Sequence, residues 1–142
     1  MTAPEDDELV AAFESGRLGN EGFRHVDHVR LGFLFMLRFP AWDALRRFSQ
    51  ALARMAAASG KPARYHETIT WALLLLIRER IARWAHEHGR PPSWEEFCAG
   101  HMDLLDWKDH VLKDYYEDRT LASELARTTF LLPDRRVNPV VT

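Results

Sequence analysis

The sequence predicts an all-α protein, a single-domain antiparallel bundle of about six or seven helices. Apolar residues recur at three- and four-residue steps, glycine and proline fall between these stretches, and no stretch alternates with the period of two typical of a strand. The 142 residues, 46% apolar and 28% charged, suit one globular domain. We expect one helical domain over residues 1–132 and an irregular tail over residues 133–142.

The first half of the chain predicts three helices, over about residues 6–15, 27–38 and 42–59. The second of these should begin at Asp27, a good N-cap residue, and end before Pro40. Its middle, residues 31–37, is apolar on every face, which is typical of a central helix.

The second half predicts helices over about residues 65–87, 93–99, 103–116 and 120–130. The long helix over residues 65–87 is apolar on all faces from Ile69 to Ile77, so we expect it to be the second central helix. Ser93 and Glu96 have the spacing of a capping box at the start of the short helix that follows.

Topology then brings distant residues together. Short connections favour antiparallel packing of neighbouring helices, so the two central helices should run parallel and begin at the same end of the bundle. The helix over residues 103–116 should bring its C-terminus to that end. The residues expected to converge there are His25, His28, His66, Glu67, Thr70, Tyr115 and Tyr116.

Three histidines and a carboxylate at one end of a bundle suit a divalent metal such as Zn, Fe, Mn or Cu. We therefore expect His25, His28 and His66 to be the metal ligands. His25 and His28 are three residues apart and share a helix face if both are helical. Glu67 would be a fourth ligand or a general base.

Other residue types near this end suggest further roles. Thr70, Tyr115 and Tyr116 are candidates for the catalytic machinery, beside Glu67. The positive ends of two helix dipoles would attract an anionic group of a small-molecule ligand. The residues expected to help bind that substrate are Arg30, Arg64 and Trp71.

Two blocks carry a resemblance to a known group of sequences. The motif F-x-H-x-x-H over residues 23–28, together with Tyr-His-Glu-Thr-Ile-Thr over residues 65–70, resembles a family of small bacterial helical proteins described only as hypothetical. The resemblance implies no substrate and no catalytic residue. The chain has neither the His-Glu-x-x-His motif of zinc proteases nor the paired Glu-x-x-His of di-iron bundles.

Three functions stay open at this point. The first is a small-molecule enzyme that depends on a divalent metal. The second is a metal-free acid–base enzyme, or an anion- or small-molecule-binding protein, that uses the same histidines. The third is a non-catalytic interaction module with structural histidines. The other histidines and Cys98 read as packing or surface residues.

Composition sets the remaining expectations. A net charge of −2 argues against nucleic acid as a partner. One cysteine, an acidic N-terminus and no apolar run near 20 residues favour a cytoplasmic protein without signal peptide or membrane span. The sequence leaves the choice between a monomer and a homodimer open.

Overall fold

The computed structural model of the protein describes residues 4–19 and 21–135. Within these residues it contains seven α-helices and no strand, which confirms the all-α prediction. The α-helices are α1 (Pro4–Glu14), α2 (His25–Arg38), α3 (Ala41–Ala58), α4 (Glu67–His88), α5 (Trp94–Gly100), α6 (Asp118–Leu121) and α7 (Glu124–Thr128). Three short 3₁₀ helices lie at Pro62–Arg64, Met102–Leu104 and Val111–Asp114. In the part of the chain that is described, no helix is long and apolar enough to cross a bilayer.

Helices α2 and α4 form the centre of the protein, as the sequence predicts. The middle of α2 is buried from Leu31 to Met36, and α4 buries Leu74 and Ile77 against it. Gly32 permits this close approach, since a Cβ placed there would lie 3.0 Å from side-chain carbons of both Leu74 and Ile77. The two central helices therefore touch through a side-chain-free position on α2.

The two central helices run parallel. At their starts, His25 of α2 and His66 next to α4 line the same cavity. Further along, the guanidinium of Arg78 on α4 donates to the carbonyl oxygens of Met36 and Phe39 at the end of α2, at 2.9 and 3.3 Å. A cation on these last carbonyls satisfies groups that the helix leaves open and complements its dipole.

The start of α2 differs from the prediction. The helix begins at His25, so Asp27 lies in its first turn and is not the N-cap residue. Its carboxylate instead accepts a hydrogen bond from the backbone N–H of Arg24, at 2.8 Å. This is the backward half of a capping box, and it places His25 and His28 on the helix rather than before it.

The predicted helix over residues 103–116 is wrong. The chain forms two 3₁₀ turns there, separated by an irregular segment. The carboxylate of Asp106 accepts hydrogen bonds from the backbone N–H groups of Lys108 and Asp109, at 3.0 and 3.3 Å. Such local side-chain bonds compete with the helical ladder, which is why aspartate favours turns.

The predicted helix over residues 120–130 is divided in two. Ser123 separates α6 from α7, and its hydroxyl oxygen accepts the backbone N–H of Ala126 at 3.1 Å as an N-cap. The chain after α7 has no helix up to residue 135. Most of the tail predicted over residues 133–142 lies outside the described residues, since the description ends at Arg135.

Candidate functional site

A cavity of about 350 Å³ opens where α2 and α4 begin, and we call it the histidine cavity. Its polar lining consists of His25, His28, Arg64, His66 and Thr70, together with the indole of Trp107. Its apolar lining comes from α3 and α4 and consists of Phe48, Leu52, Ile69, Leu73, Leu74 and Ile77. The volume lies in the range of small-molecule sites, which are largely apolar with a few polar groups.

His28 is a neutral imidazole at physiological pH. Burial lowers its pKa to about 4, helped by the nearby His25 and opposed by Asp27. Its ring packs on Phe23, with 4.4 Å between ring centroids. Within the described residues neither ring nitrogen of His28 has a hydrogen-bond partner, and His28 lines the histidine cavity.

His25 is oriented by a distant backbone group. Its Nε2–H donates to the carbonyl oxygen of Leu104 at 2.8 Å, and its ring packs on Trp107 with centroids 4.9 Å apart. Burial lowers the pKa of His25, while the bond to Leu104 opposes the shift. Because the carbonyl requires a proton on Nε2, neutral His25 carries its lone pair on Nδ1. No described residue bonds to that Nδ1.

His66 lines the cavity, but its ring is engaged by the backbone. Its Nδ1 accepts the backbone N–H of Ile69 at 3.0 Å, which makes His66 the N-cap of α4. Its Nε2–H donates to the carbonyl oxygen of Leu121 at 2.8 Å. Both nitrogens are therefore used, and in this arrangement His66 has no lone pair for the predicted metal.

The ligand atoms of the predicted metal site are not all free to bind a metal. Among the described residues, no group of three or more histidine, cysteine, aspartate or glutamate side chains is placed to hold a metal ion. The reason is visible at His66, whose lone pair accepts Ile69 N–H. His25 and His28 remain as neutral nitrogen donors of the kind that metals bind.

Glu67 and Thr70 have separate surroundings. Glu67 accepts a hydrogen bond from the hydroxyl of Tyr65 and does not line the histidine cavity. Burial, and then the hydrogen bond to Glu67, raises the pKa of Tyr65 well above its usual range. Thr70 is buried and lines the cavity, as expected.

Two of the predicted substrate-binding residues lie elsewhere. Arg30 forms an ion pair with Asp6 at 2.5 Å and so links α2 to α1. Trp71 donates its indole N–H to the hydroxyl oxygen of Ser49 at 3.0 Å and stacks on Phe130. Neither residue lines the histidine cavity. Trp71 follows Thr70 in the sequence, so its side chain points about 100° away from that of Thr70 around α4.

Tyr115 and Tyr116 also lie elsewhere, and their predicted place beside the histidines is wrong. They line a second cavity of about 320 Å³, with Phe130 and Leu132. The hydroxyl of the buried Tyr116 donates to the carbonyl oxygen of Leu131 at 2.6 Å. Their displacement follows from the missing helix over residues 103–116, which was expected to carry them to the histidine end.

The sequence does not predict three contributions that the segment after α5 makes to the histidine cavity. The Leu104 carbonyl holds His25, Trp107 lines the cavity, and His110 stacks on Trp107 with centroids 4.6 Å apart. The Nδ1 of His110 is buried without a hydrogen-bond partner among the described residues. The pair of aspartates at positions 106 and 109 is the one sequence signal that this stretch forms turns.

Comparisons with protein-family models, with curated proteins and with solved structures found no match to this chain.

Proposed function

We propose that the protein binds a small organic molecule in the histidine cavity and uses His25 as a metal-free proton acceptor towards it. The observation that carries the proposal is the pair His25 and His28, two neutral imidazoles with unengaged ring nitrogens on the wall of one apolar cavity. We expect it to act in the cytoplasm, the compartment that its single cysteine favours.

His25 is the better proton acceptor of the two. When its Nδ1 takes a proton, the Leu104 carbonyl already faces Nε2–H and stabilises the imidazolium that forms. His28 has no such partner and its pKa is about 4, so it stays neutral. We assign to His28 the role of a hydrogen-bonding group that orients the bound molecule.

The apolar wall supports a reaction that excludes water. Phe48, Leu73 and Ile77 leave few polar groups to solvate a ligand, so a hydrogen bond from His28 or Thr70 would act in a medium of low polarity. Proton abstraction from a bound substrate is the reaction class that fits these groups.

A divalent-metal site is the second candidate. His25 and His28 lie three residues apart on α2 and are neutral, the form that ligates a metal. With the ring of His66 engaged, such a metal would have two protein ligands, and water or substrate would fill its remaining positions. This arrangement predicts weak binding of the metal.

A fragment screen by ligand-observed NMR at pH 7 with excess chelator tests the first candidate. We expect bound fragments that are lost in Leu52→Trp, which fills the cavity, and kept in Leu45→Trp, on the same helix but outside it. The bound fragments should also change the ¹⁵N chemical shifts of the imidazole nitrogens of His25 and His28. Fragment binding that requires added Zn²⁺ would favour the metal candidate. Fragment binding that is unchanged in Leu52→Trp would reject both candidate functions.

A further inference from the structure

We propose that the ligand of the histidine cavity is an amphiphilic anion, whose apolar body fills the cavity and whose single oxyanion group pairs with Arg64. The inference rests on the proposed function and adds the chemical class of the ligand. A carboxylate, a sulfonate and a phosphate monoester share this chemistry, since each presents oxygens to a planar guanidinium.

Arg64 is the unpaired arginine of the described chain. Every other arginine within residues 4–19 and 21–135 either donates a hydrogen bond, as Arg80 does to Asp103, or forms an ion pair, as Arg24 and Arg119 do with neighbouring carboxylates. The exposed side chain of Arg64 makes no hydrogen bond, ion pair or ring contact with a described residue. Its five donors are therefore available to a ligand.

The position of Arg64 is fixed although its side chain is unpaired. It ends the 3₁₀ helix Pro62–Arg64, and its backbone N–H donates to the Lys61 carbonyl at 3.0 Å. It lines both the histidine cavity and a neighbouring cavity of about 300 Å³, and His28 and Leu52 also line both. A group bound to Arg64 would therefore reach His28 and the apolar interior together.

The charges around the two cavities favour one negative group. No aspartate or glutamate is among the described residues that line either cavity. Arg64 is the one arginine or lysine among the described residues of the lining, and the pKa values of His25 and His28 are lowered, which favours their neutral forms. With no carboxylate as competitor, a guanidinium at an apolar cavity attracts an anion more strongly than it would on an open surface.

The interior of the histidine cavity favours an apolar body behind that group. Leu73, Leu74 and Ile77 form its α4 wall, and Phe48 and Leu52 its α3 wall. A bare inorganic ion would leave this surface without a partner, whereas an aromatic or aliphatic body would bury it away from water, which is favourable. The combination of walls and cation selects an amphiphile.

A matched pair of fluorescent probes tests the inference. Anilinonaphthalene sulfonate and N-phenyl-naphthylamine share an apolar body, and the sulfonate is present in the first only. We expect wild-type protein to bind the sulfonate about tenfold more tightly than the neutral probe. Arg64→Met should remove that difference by weakening the sulfonate alone, and Arg64→Lys should restore part of it.

The control is Arg83→Met, which removes an exposed arginine of α4 that does not line the histidine cavity and should leave both affinities within twofold. Rising salt should weaken the sulfonate more than the neutral probe. Displacement of the neutral probe by octanoate, octyl phosphate and octanol then identifies the head group, and octanol should be the weakest of the three.

The outcomes separate the two proposals. If the neutral probe binds and is lost in Leu52→Trp, but the sulfonate gains nothing from Arg64, the anion inference is overturned and the cavity stands. If neither probe binds wild-type protein at high micromolar concentration, both the inference and the proposed function are overturned. Equal weakening of the two probes in Arg64→Met would also overturn the inference, because a charge effect must distinguish them.

Discussion

The imidazole of His25 and the carbonyl of Leu104 are joined by a 2.8 Å hydrogen bond across 79 residues of sequence. The bond ties the first turn of α2 to the irregular segment that follows α5. It also fixes which nitrogen of His25 carries the proton, so one contact both holds the segment over the cavity and sets the chemistry of the ring.

The first prediction is that His25→Phe loosens this segment. Phenylalanine keeps a ring packed against Trp107 but cannot donate to Leu104, so about 1 kcal/mol of local stability should be lost. We expect backbone amides of residues 105–110 to exchange about fivefold faster in hydrogen–deuterium exchange. His28→Phe, which removes no described hydrogen bond, is the control. Equal acceleration in both variants would contradict the assignment.

The second prediction concerns pH and stability. His28 has a pKa of about 4 in the folded protein against 6.5 in its unfolded form, so the unfolded chain binds protons more tightly between those values. The free energy of unfolding should therefore be greatest above pH 6.5 and fall by about 3 kcal/mol as the pH drops to 4.

Urea denaturation at several pH values measures this slope. In His28→Gln the decline over that window should shrink, and the part that remains should reflect His25, whose pKa is also lowered, and carboxylates such as Glu96, whose pKa is lowered by its hydrogen bond with Arg90. The charged and titratable groups that act on His28 are His25 and Asp27. A pH slope identical to that of wild-type protein would show that His28 is not the titrating group.

The third prediction separates structure from function at His66. His66→Ala removes the N-cap of α4 and the bond to Leu121, and should cost about 1–3 kcal/mol in thermal or chemical denaturation. His66→Asn retains an N-cap acceptor and should recover part of this loss. The affinity for zinc, measured by calorimetry, should be the same in both variants as in wild-type protein. A loss of metal binding in His66→Asn would restore the metal role that the sequence suggested.

The fourth prediction concerns Thr68, which is fully buried. Its hydroxyl donates to the Thr129 carbonyl at 2.7 Å and accepts the backbone N–H of Leu131 at 3.1 Å, so it holds residues 129–131 against α4. Thr68→Val should cost about 2 kcal/mol because it removes both hydrogen bonds of the buried hydroxyl. Thr68→Ser keeps both bonds and should cost about 1 kcal/mol for the lost methyl. Comparable losses in the two variants would refute this account.

The fifth prediction concerns the contact between α2 and α4. Gly32→Ala would place a methyl 3.0 Å from Leu74 and Ile77, and the resulting strain should exceed the gain of about 1 kcal/mol in helix propensity. Both displaced side chains line the histidine cavity, so probe affinity should also fall. In Gly100→Ala a methyl meets open space, and that variant should be at least as stable as wild-type protein. Stabilisation by both substitutions would mean that the helices do not resist the added methyl.

The convergence of His25, His28 and His66 could be predicted from the sequence because it depends on few facts. Three consecutive helices with short connections must reverse direction twice, so the first and third run parallel. Apolar stretches on every face identified the two central helices, and their starts then had to meet. No knowledge of side-chain contacts was needed.

What the rings do there could not be predicted in this way. Whether His66 caps a helix or faces a ligand depends on the carbonyl of Leu121, which lies 55 residues away. Apolar spacing predicts a helix over residues 103–116, whereas the local hydrogen bonds of Asp106 favour turns there. The wrong helix led to wrong predicted positions for Tyr115 and Tyr116, and Trp107 was not predicted to line the cavity. The position of each of these residues depends on the path of an irregular segment.

The walls of the histidine cavity are also part of the hydrophobic core, and Phe48, Leu74 and Ile77 belong to both. A molecule that fills the cavity can bind the folded chain but has no partner in the unfolded one. Occupancy should then add about 2.7 kcal/mol to the folded state at a ligand concentration one hundred times Kd. The melting temperature of this protein should therefore rise with the fraction of cavities that are occupied. Fractions of a cell extract could then be screened for the natural ligand by this rise, before any reaction is known.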